Sequence, residues 1–412
     1  MSEQLVEHFF RREYGRLVAS LSRRVGVRDV ELAEDAAQTA LARALDHWSH
    51  HGPPDNPAAW LYRVAHNVLV GELRQRSTRA RILDGAPAPD AATPAPALLA
   101  GEMQDDLLRM LFVCCDEVLP VESQIVIALK ILCGFSVAEI ARRLFTTEAN
   151  VYKRLTRARH RLRDVLKDGL DAPPAAARLP AVQRVIYLVF TEGYLSSHAQ
   201  LALRRDLCDE ALRLGQLLAE PPVGATPETE ALLALMHFHA ARLSARDDGA
   251  GGLVLLEDQD RSRWDRDRIA TGLMWLARSA RGEVFSRYHA EARIAAEHGL
   301  AETFEATRWD VIAETYAHLE QIAPSPLVTL NRALAVAQVQ GPEAGLAIVS
   351  GRALEPPTWL AGSHQWSAVL ADLHRRCGHE AEAERYRALA LAAAPNEAVR
   401  ALLERRLGTA HD

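Results

Sequence analysis

The chain has 412 residues, and 49% hydrophobic residues supply the cores of two or three domains. No run approaches the roughly 18 uninterrupted apolar residues of a membrane span, and the first residues lack a signal peptide's apolar stretch, so a cytoplasmic protein with no membrane partner is expected. The net charge of -6 is unevenly spread: residues 1–170 hold 23 Lys and Arg against 22 Asp and Glu, leaving 25 against 32 for the acidic remainder. Five cysteines (114, 115, 133, 208, 377) form no Cys-x-x-Cys and have no paired-histidine spacing, which speaks against a zinc site or a disulfide framework. No nucleophile–base pair, Gly-rich phosphate loop or metal-ligand spacing stands out either, so neither catalysis, a metal nor a cofactor is expected.

In chain order, Phe10, Tyr14, Leu17, Val18 and Leu21 recur at helical spacing and predict a helix over residues 9–25. Between residues 28 and 46, Asp29, Glu31, Glu34, Asp35 and Asp46 stand against Arg28 and Arg43. That net -3 repels DNA and suits a protein partner, unless the acids only compensate a helix dipole. After a Gly-Pro-Pro-Asp-Asn-Pro loop at 52–57, Leu61, Val64, Ala65, Val68 and Leu69 mark the next helix. From residue 60 to 81 it carries Arg63, Arg74, Arg76, Arg79 and Arg81 against Glu72, net +4, with Trp60 and Tyr62 near its start. Aromatic faces and cations together suit a single strand, base stacking being worth roughly 1–3 kcal/mol. Burial of Trp60 in the core is the other reading. Residues 77–103 include an alanine- and proline-rich stretch without periodicity, which predicts a flexible linker.

Residues 121–166 are the most informative. An apolar segment stops at Cys133-Gly134, and Ser136 with Glu139 forms a capping box for a short helix whose inner residues are Val137, Ile140, Ala141 and Leu144. Thr146 or Thr147 caps a second helix, in which Val151, Leu155, Ala158, Leu162 and Val165 share one face. At about 100° per residue, Asn150, Lys153, Arg154, Arg157, His160 and Arg161 gather opposite. Residues 141–163 hold eight Lys or Arg against Glu148, net +7. A helix, a tight turn and a basic second helix predict a helix-turn-helix that reads the major groove and holds phosphates.

Beyond Leu170-Asp171-Ala172-Pro173-Pro174 helical patterns continue to the end. Residues 364–397 approach the 34-residue tetratricopeptide spacing, and residues 330–349, centred on Gly341-Pro342, are a weaker copy. Such repeats stack into a protein-binding solenoid. Residues 255–272 alternate acids and arginines beside Trp264, which reads as a salt-bridged helix start rather than acid/base chemistry at Asp258, Asp260 and Asp265.

Residues 121–166 resemble the fourth conserved region of bacterial sigma factors of the extracytoplasmic-function (ECF) type. With LLRMLFVCCDEVLPVESQ upstream, the chain looks like the ECF group that carries a long tetratricopeptide-like extension, although Asp116-Glu117 stands where similar chains carry His-Pro. The resemblance covers nearly the whole chain. It implies an all-α fold: sigma region 2 at residues 1–76, a linker at 77–103, the region 4 helix-turn-helix at 104–168 and a solenoid at 175–412. It implies core RNA polymerase and promoter DNA as partners, with a regulatory protein on the extension. On this resemblance Glu34, Asp35, Gln38, Leu41 and Arg43 dock on the polymerase clamp. Asn56, Trp60, Arg63, His66, Asn67, Arg74 and Arg76 hold the minus-ten strand. Thr147, Glu148, Asn150, Lys153, Arg154, Arg157 and Arg161 face the minus-thirty-five duplex. The alternative is a polymerase-independent helix-turn-helix regulator with a protein-binding solenoid.

Overall fold

The computed structural model describes residues 3–26, 29–84, 100–116, 118–144, 146–165, 178–194, 205–220, 224–247, 253–350, 363–394 and 397–408. Among the described residues the regular structure is helical, apart from an isolated antiparallel bridge between Asp247 and Leu253. The chain divides into two compact units, Met1–Val185 and Ile186–Asp412.

The first unit holds α1 (Glu3–Val25), α2 (Val30–His51), α3 (Pro57–Asp84), α4 (Ala100–Cys114), α5 (Val121–Ile131), α6 (Val137–Arg143), α7 (Glu148–Val165) and the first turns of α8 (Leu179–Tyr194). The stripe read from the sequence puts Tyr14, Leu17, Val18 and Leu21 inside, and α1 packs on α2, α3 and α4. Small residues of α2, Ala33, Ala36, Ala37, Ala40 and Ala44, are also buried, which lets helices approach closely.

Two features depart from the expectation of DNA readers held apart by a linker. Helix occupies both ends of the 77–103 stretch, because the first strong breaker after residue 77 is Gly85, just beyond the end of α3. Residues 85–99 lie outside the described residues. In addition, α1 ties the two halves of the unit together. A Cβ at Gly15 would lie 2.0 Å from the Leu132 carbonyl oxygen, so only glycine lets α1 approach the turn after α5 so closely. Arg23 meets the buried Asp106 of α4 at 3.3 Å.

The second unit holds the rest of α8, then α9 (Arg205–Ala219), α10 (Pro227–Ala241), a 3-10 turn (Arg261–Arg263), α11 (Arg266–Ser279), α12 (Arg287–Leu300), α13 (Trp309–Ile322), α14 (Pro326–Gln340), α15 (Pro342–Ser350), α16 (His364–Arg376), α17 (Glu380–Ala392) and α18 (Glu397–Leu407). Neighbours in sequence pack on one another: α10 on α11 and α12, α13 on α14, α14 on α15 and α16 on α17. The sequence repeats correspond to α14–α15, joined at Gly341, and α16–α17, joined at Gly378, with φ of 90° and 77°. The acid–arginine stretch starts helices, as expected. Asp260 accepts from the Ser262 amide, and Asp265 caps α11 through the Arg268 amide at 3.0 Å.

Candidate nucleic-acid interface

The helix-turn-helix is built by local chemistry. In the capping box the Ser136 amide donates to Glu139 Oε2 at 2.8 Å and the Glu139 amide to Ser136 Oγ at 3.2 Å, which orients α6. Gly134, with φ of 65°, makes the turn out of α5. Thr147 is the cap of α7, its Oγ1 accepting from the Asn150 amide at 3.3 Å, while the Asn150 side chain donates to Thr146 Oγ1. Val151, Leu155, Ala158 and Leu162 are buried against α5 and α6. The opposite face is open: Thr147, Glu148, Asn150, Lys153, Arg157 and Arg161 are exposed and Arg154 is half-buried. Arg161 is not wholly free to reach a phosphate, because its guanidinium donates to the Val118 carbonyl at 2.9 Å.

On α3, Arg63, Asn67, Arg74 and Arg76 are exposed, and steps of four and seven place the first three on one face. Arg76 is joined to Asp29 at 3.2 Å. Asn56 caps the helix, its Oδ1 accepting from the Ala59 amide at 3.0 Å. Trp60 is half-buried: it stacks on His47 with ring centres 5.6 Å apart and meets Trp48 at 5.5 Å, and Trp48 in turn touches Phe9 and Phe10. Trp60 is thus partly taken up in an aromatic cluster and partly exposed. His66 differs from its expected role. It is buried, with Nε2 3.3 Å from Arg24 Nη1, and burial first, then the Arg24 charge, lowers its pKa. A neutral, enclosed imidazole is not presented to a strand in this arrangement.

On α2, Asp35, Gln38 and Arg43 are exposed and Leu41 is half-buried. Glu34 is the exception. It is buried, accepts from the Tyr14 hydroxyl at 3.1 Å and pairs with Arg159 of α7 at 2.6 Å. Burial pushes its carboxyl above the ordinary value against the opposing pull of Arg159, and burial together with Glu34 pushes the Tyr14 phenol up. In this arrangement Glu34 holds the unit together rather than facing outward. In the sequence Arg159 is one of the eight cations of residues 141–163. Its signal was its place four residues after Leu155 and three before Leu162, on the border of the apolar stripe.

The two halves of this unit have counterparts among known proteins. Residues 10–79 match the family described as Sigma-70 region 2, and residues 109–162 match Sigma-70, region 4. Residues 178–280 match a family of unknown function, DUF6596. An uncharacterized protein of Rhizobium meliloti, R00370, is 40% identical over 379 residues, 90% of this chain and 88% of its own length. The ECF RNA polymerase sigma factor SigL of Mycobacterium tuberculosis is 34% identical over 145 residues, 34% of this chain and 77% of its own length. A probable RNA polymerase sigma factor of Xanthomonas campestris pv. campestris, RfaY, is 29% identical over 170 residues, 38% of this chain and 41% of its own length. No solved structure matches the chain. Among the described residues, no helix is long and apolar enough to cross a membrane and no cluster of His, Cys, Asp and Glu is set to hold a metal ion. With a capped, basic α7 on a region 4 match, a region 2 match on α1–α3 and a relative covered over most of its length, the chain belongs to the ECF family of RNA polymerase sigma factors.

Proposed function

We propose that the chain binds core RNA polymerase and directs promoter-specific initiation, without catalysing a reaction itself. The observation that carries this reading is the outward basic face of α7, beginning at the Thr147 cap and continuing through Lys153, Arg154 and Arg157. A helix held by its apolar face on α5 and α6 leaves those cations for the groove of the minus-thirty-five element. The exposed Arg63, Asn67 and Arg74 of α3, with the open edge of Trp60, hold the minus-ten strand once bases leave the stack. Polymerase docks on α2 through Asp35, Gln38, Leu41 and Arg43, with Glu34 contributing from inside. The helical extension is required for activity and offers its surface to a regulatory protein.

Run-off transcription with core polymerase and a library of promoters tests this reading. Transcripts that start at a shared motif and require both this chain and core polymerase are expected. Equal duplex binding without polymerase, and no transcript with it, would instead show a conventional helix-turn-helix regulator.

A further inference from the structure

The second unit contains a partly open cavity of about 410 Å³ among α8, α10, α12, α13 and α14. A second cavity of about 430 Å³ adjoins it and shares Leu256, His298, Tyr316 and Asn331 as wall. Each falls in the size range of small-molecule sites, which are mostly apolar with a few convergent polar groups. The first has that character, with Leu256, Ile294, Leu319, Leu327 and Val328 supplying apolar wall.

The polar groups carry an unusual excess of positive charge. Arg242, at the end of α10, lines the cavity and is only 8% exposed, yet among the described residues it has no carboxylate partner. Its Nε donates to Gln259 Oε1 at 3.3 Å, and its guanidinium carbon lies 5.1 Å from the centre of the Trp264 ring. Arg261 approaches the same ring at 4.7 Å and spends its charge on two carbonyl oxygens, those of His298 at 2.6 Å and Ala301 at 2.8 Å. Arg246 lies over Tyr194 at 3.9 Å. The other cation of the cavity wall, Arg287, is already balanced by Glu291 at 2.5 Å. Tyr194 interacts favourably with Arg242, its burial being outweighed by Arg242 and Arg246 so that the phenol pKa falls below its ordinary value. A phenol supplies at most part of a counter-charge, and a buried guanidinium short of a counter-ion is costly unless something pairs with it.

Two imidazoles complete the polar end. His239 and His298 both line the cavity, and each has a buried Nδ1 without a hydrogen-bond partner. Burial, reinforced by Arg242, lowers the pKa of each to about 3, so both rings are neutral and each can donate or accept one hydrogen bond. They add hydrogen-bonding capacity and no further charge.

We propose that this cavity is a binding site for a small organic anion, whose acidic group pairs with Arg242 while its apolar body lies against Ile294, Leu319, Leu327 and Val328. The site favours a single negative charge, because one guanidinium without a described carboxylate partner faces it and the neighbouring Arg287 and Glu291 are already paired. The inference stands on the second unit alone and does not depend on the promoter reading.

Binding of 8-anilinonaphthalene-1-sulfonate, an aromatic monoanion that fluoresces in apolar surroundings, tests it on the full-length protein. One saturable site is expected, weakened about tenfold or more in Arg242→Met and less in Arg242→Lys, as for loss of a charge-assisted hydrogen bond. Val328→Phe, which fills the wall without touching the charge, should also abolish binding, and it serves as the deciding variant where Arg242→Met does not fold. Nile red, a neutral apolar probe, should bind the Arg242→Met protein as it binds the parent. Unchanged sulfonate affinity in Val328→Phe would place the probe elsewhere and overturn the site. Unchanged sulfonate affinity in a folded Arg242→Met, or an equal loss of both probes there, would overturn the anion assignment.

Discussion

Arg159 of α7 reaches Glu34 of α2, Nη2 to Oε2 at 2.6 Å, so a helix expected to face the duplex is tied to a helix expected to face polymerase. The two residues are 125 positions apart in the chain. Removing Arg159 alone leaves a buried carboxylate unpaired, for which about 3–5 kcal/mol is typical; the partly exposed guanidinium places this pair at the lower end. Arg159→Met should therefore destabilise the first unit more than Glu34→Gln, and the double variant should recover part of the loss. Chemical denaturation of the four proteins measures the coupling, and strictly additive effects would contradict it. The pH dependence has a definite sign. Because the Glu34 pKa is raised in the fold, its stabilising contribution is complete below 4.5 and is lost as pH rises through the raised value. The parent should lose stability relative to Glu34→Gln over that rise.

Arg154→Ala and Arg157→Ala should each weaken binding to the minus-thirty-five duplex, by about 1–3 kcal/mol where the guanidinium makes a bidentate contact with a base. Arg161→Ala should lower affinity across all sequences and reduce the salt dependence, since its remaining donors suit phosphates. Fluorescence anisotropy on matched and scrambled duplexes over a range of salt separates these behaviours. A sequence-specific loss at Arg161 would contradict the assignment.

Asp35 and Gln38 stand exposed on α2, and of the two Gln38 also reaches the Tyr14 hydroxyl that bonds Glu34. Asp35→Arg should reduce association with core polymerase while leaving thermal stability and duplex binding by α7 close to the parent's. Pull-down against core polymerase reads the first effect, and normal recovery of polymerase would remove α2 from the docking surface.

Truncation after Leu170 should give a protein that still binds core polymerase but transcribes less. The cut also removes Arg178, which meets the buried Asp116 of the first unit at 2.7 Å. A shorter cut from His364 onward should do similar damage, because it strips Trp366, Val369, Leu370 and Leu373 from a core shared with Leu330, Ala333 and Val349. In vitro transcription decides, and a truncated form more active than the intact chain would establish inhibition by the extension.

Acid should unfold the second unit through its buried imidazoles. With folded pKa values near 3 for His239 and His298, against 6.5 when exposed, the fold binds fewer protons than the unfolded chain between those values. Stability is thus complete above 6.5 and falls as pH drops toward 3, by about 2 kcal/mol for His298 at pH 5. His298→Asn should flatten this loss, as followed by tryptophan fluorescence in urea at pH 7 and pH 5.

Much of the site could be read along the chain because the chemistry is local. A capping box, a threonine cap and an apolar stripe act over three or four residues, so the helix-turn-helix, its outward cations and the caps at Asp260 and Asp265 were legible from spacing. The helical hairpins at Gly341 and Gly378 were legible too, since positive φ at the turn and small residues in the helices are set by residue type. What spacing does not contain is which polar residue meets another far away. Glu34 and Asp35 are adjacent acids on one helix, and only packing on α1 and α7 turns the first inward to Tyr14 and Arg159 and leaves the second exposed. The same holds for His66, enclosed beside Arg24, and for Arg242, whose isolation from every described carboxylate arises from helices gathered across the second unit. Residue types determined the helices and their caps; the desolvation and pairing of charged groups were decided by tertiary contacts, because burial exists only once distant segments have met.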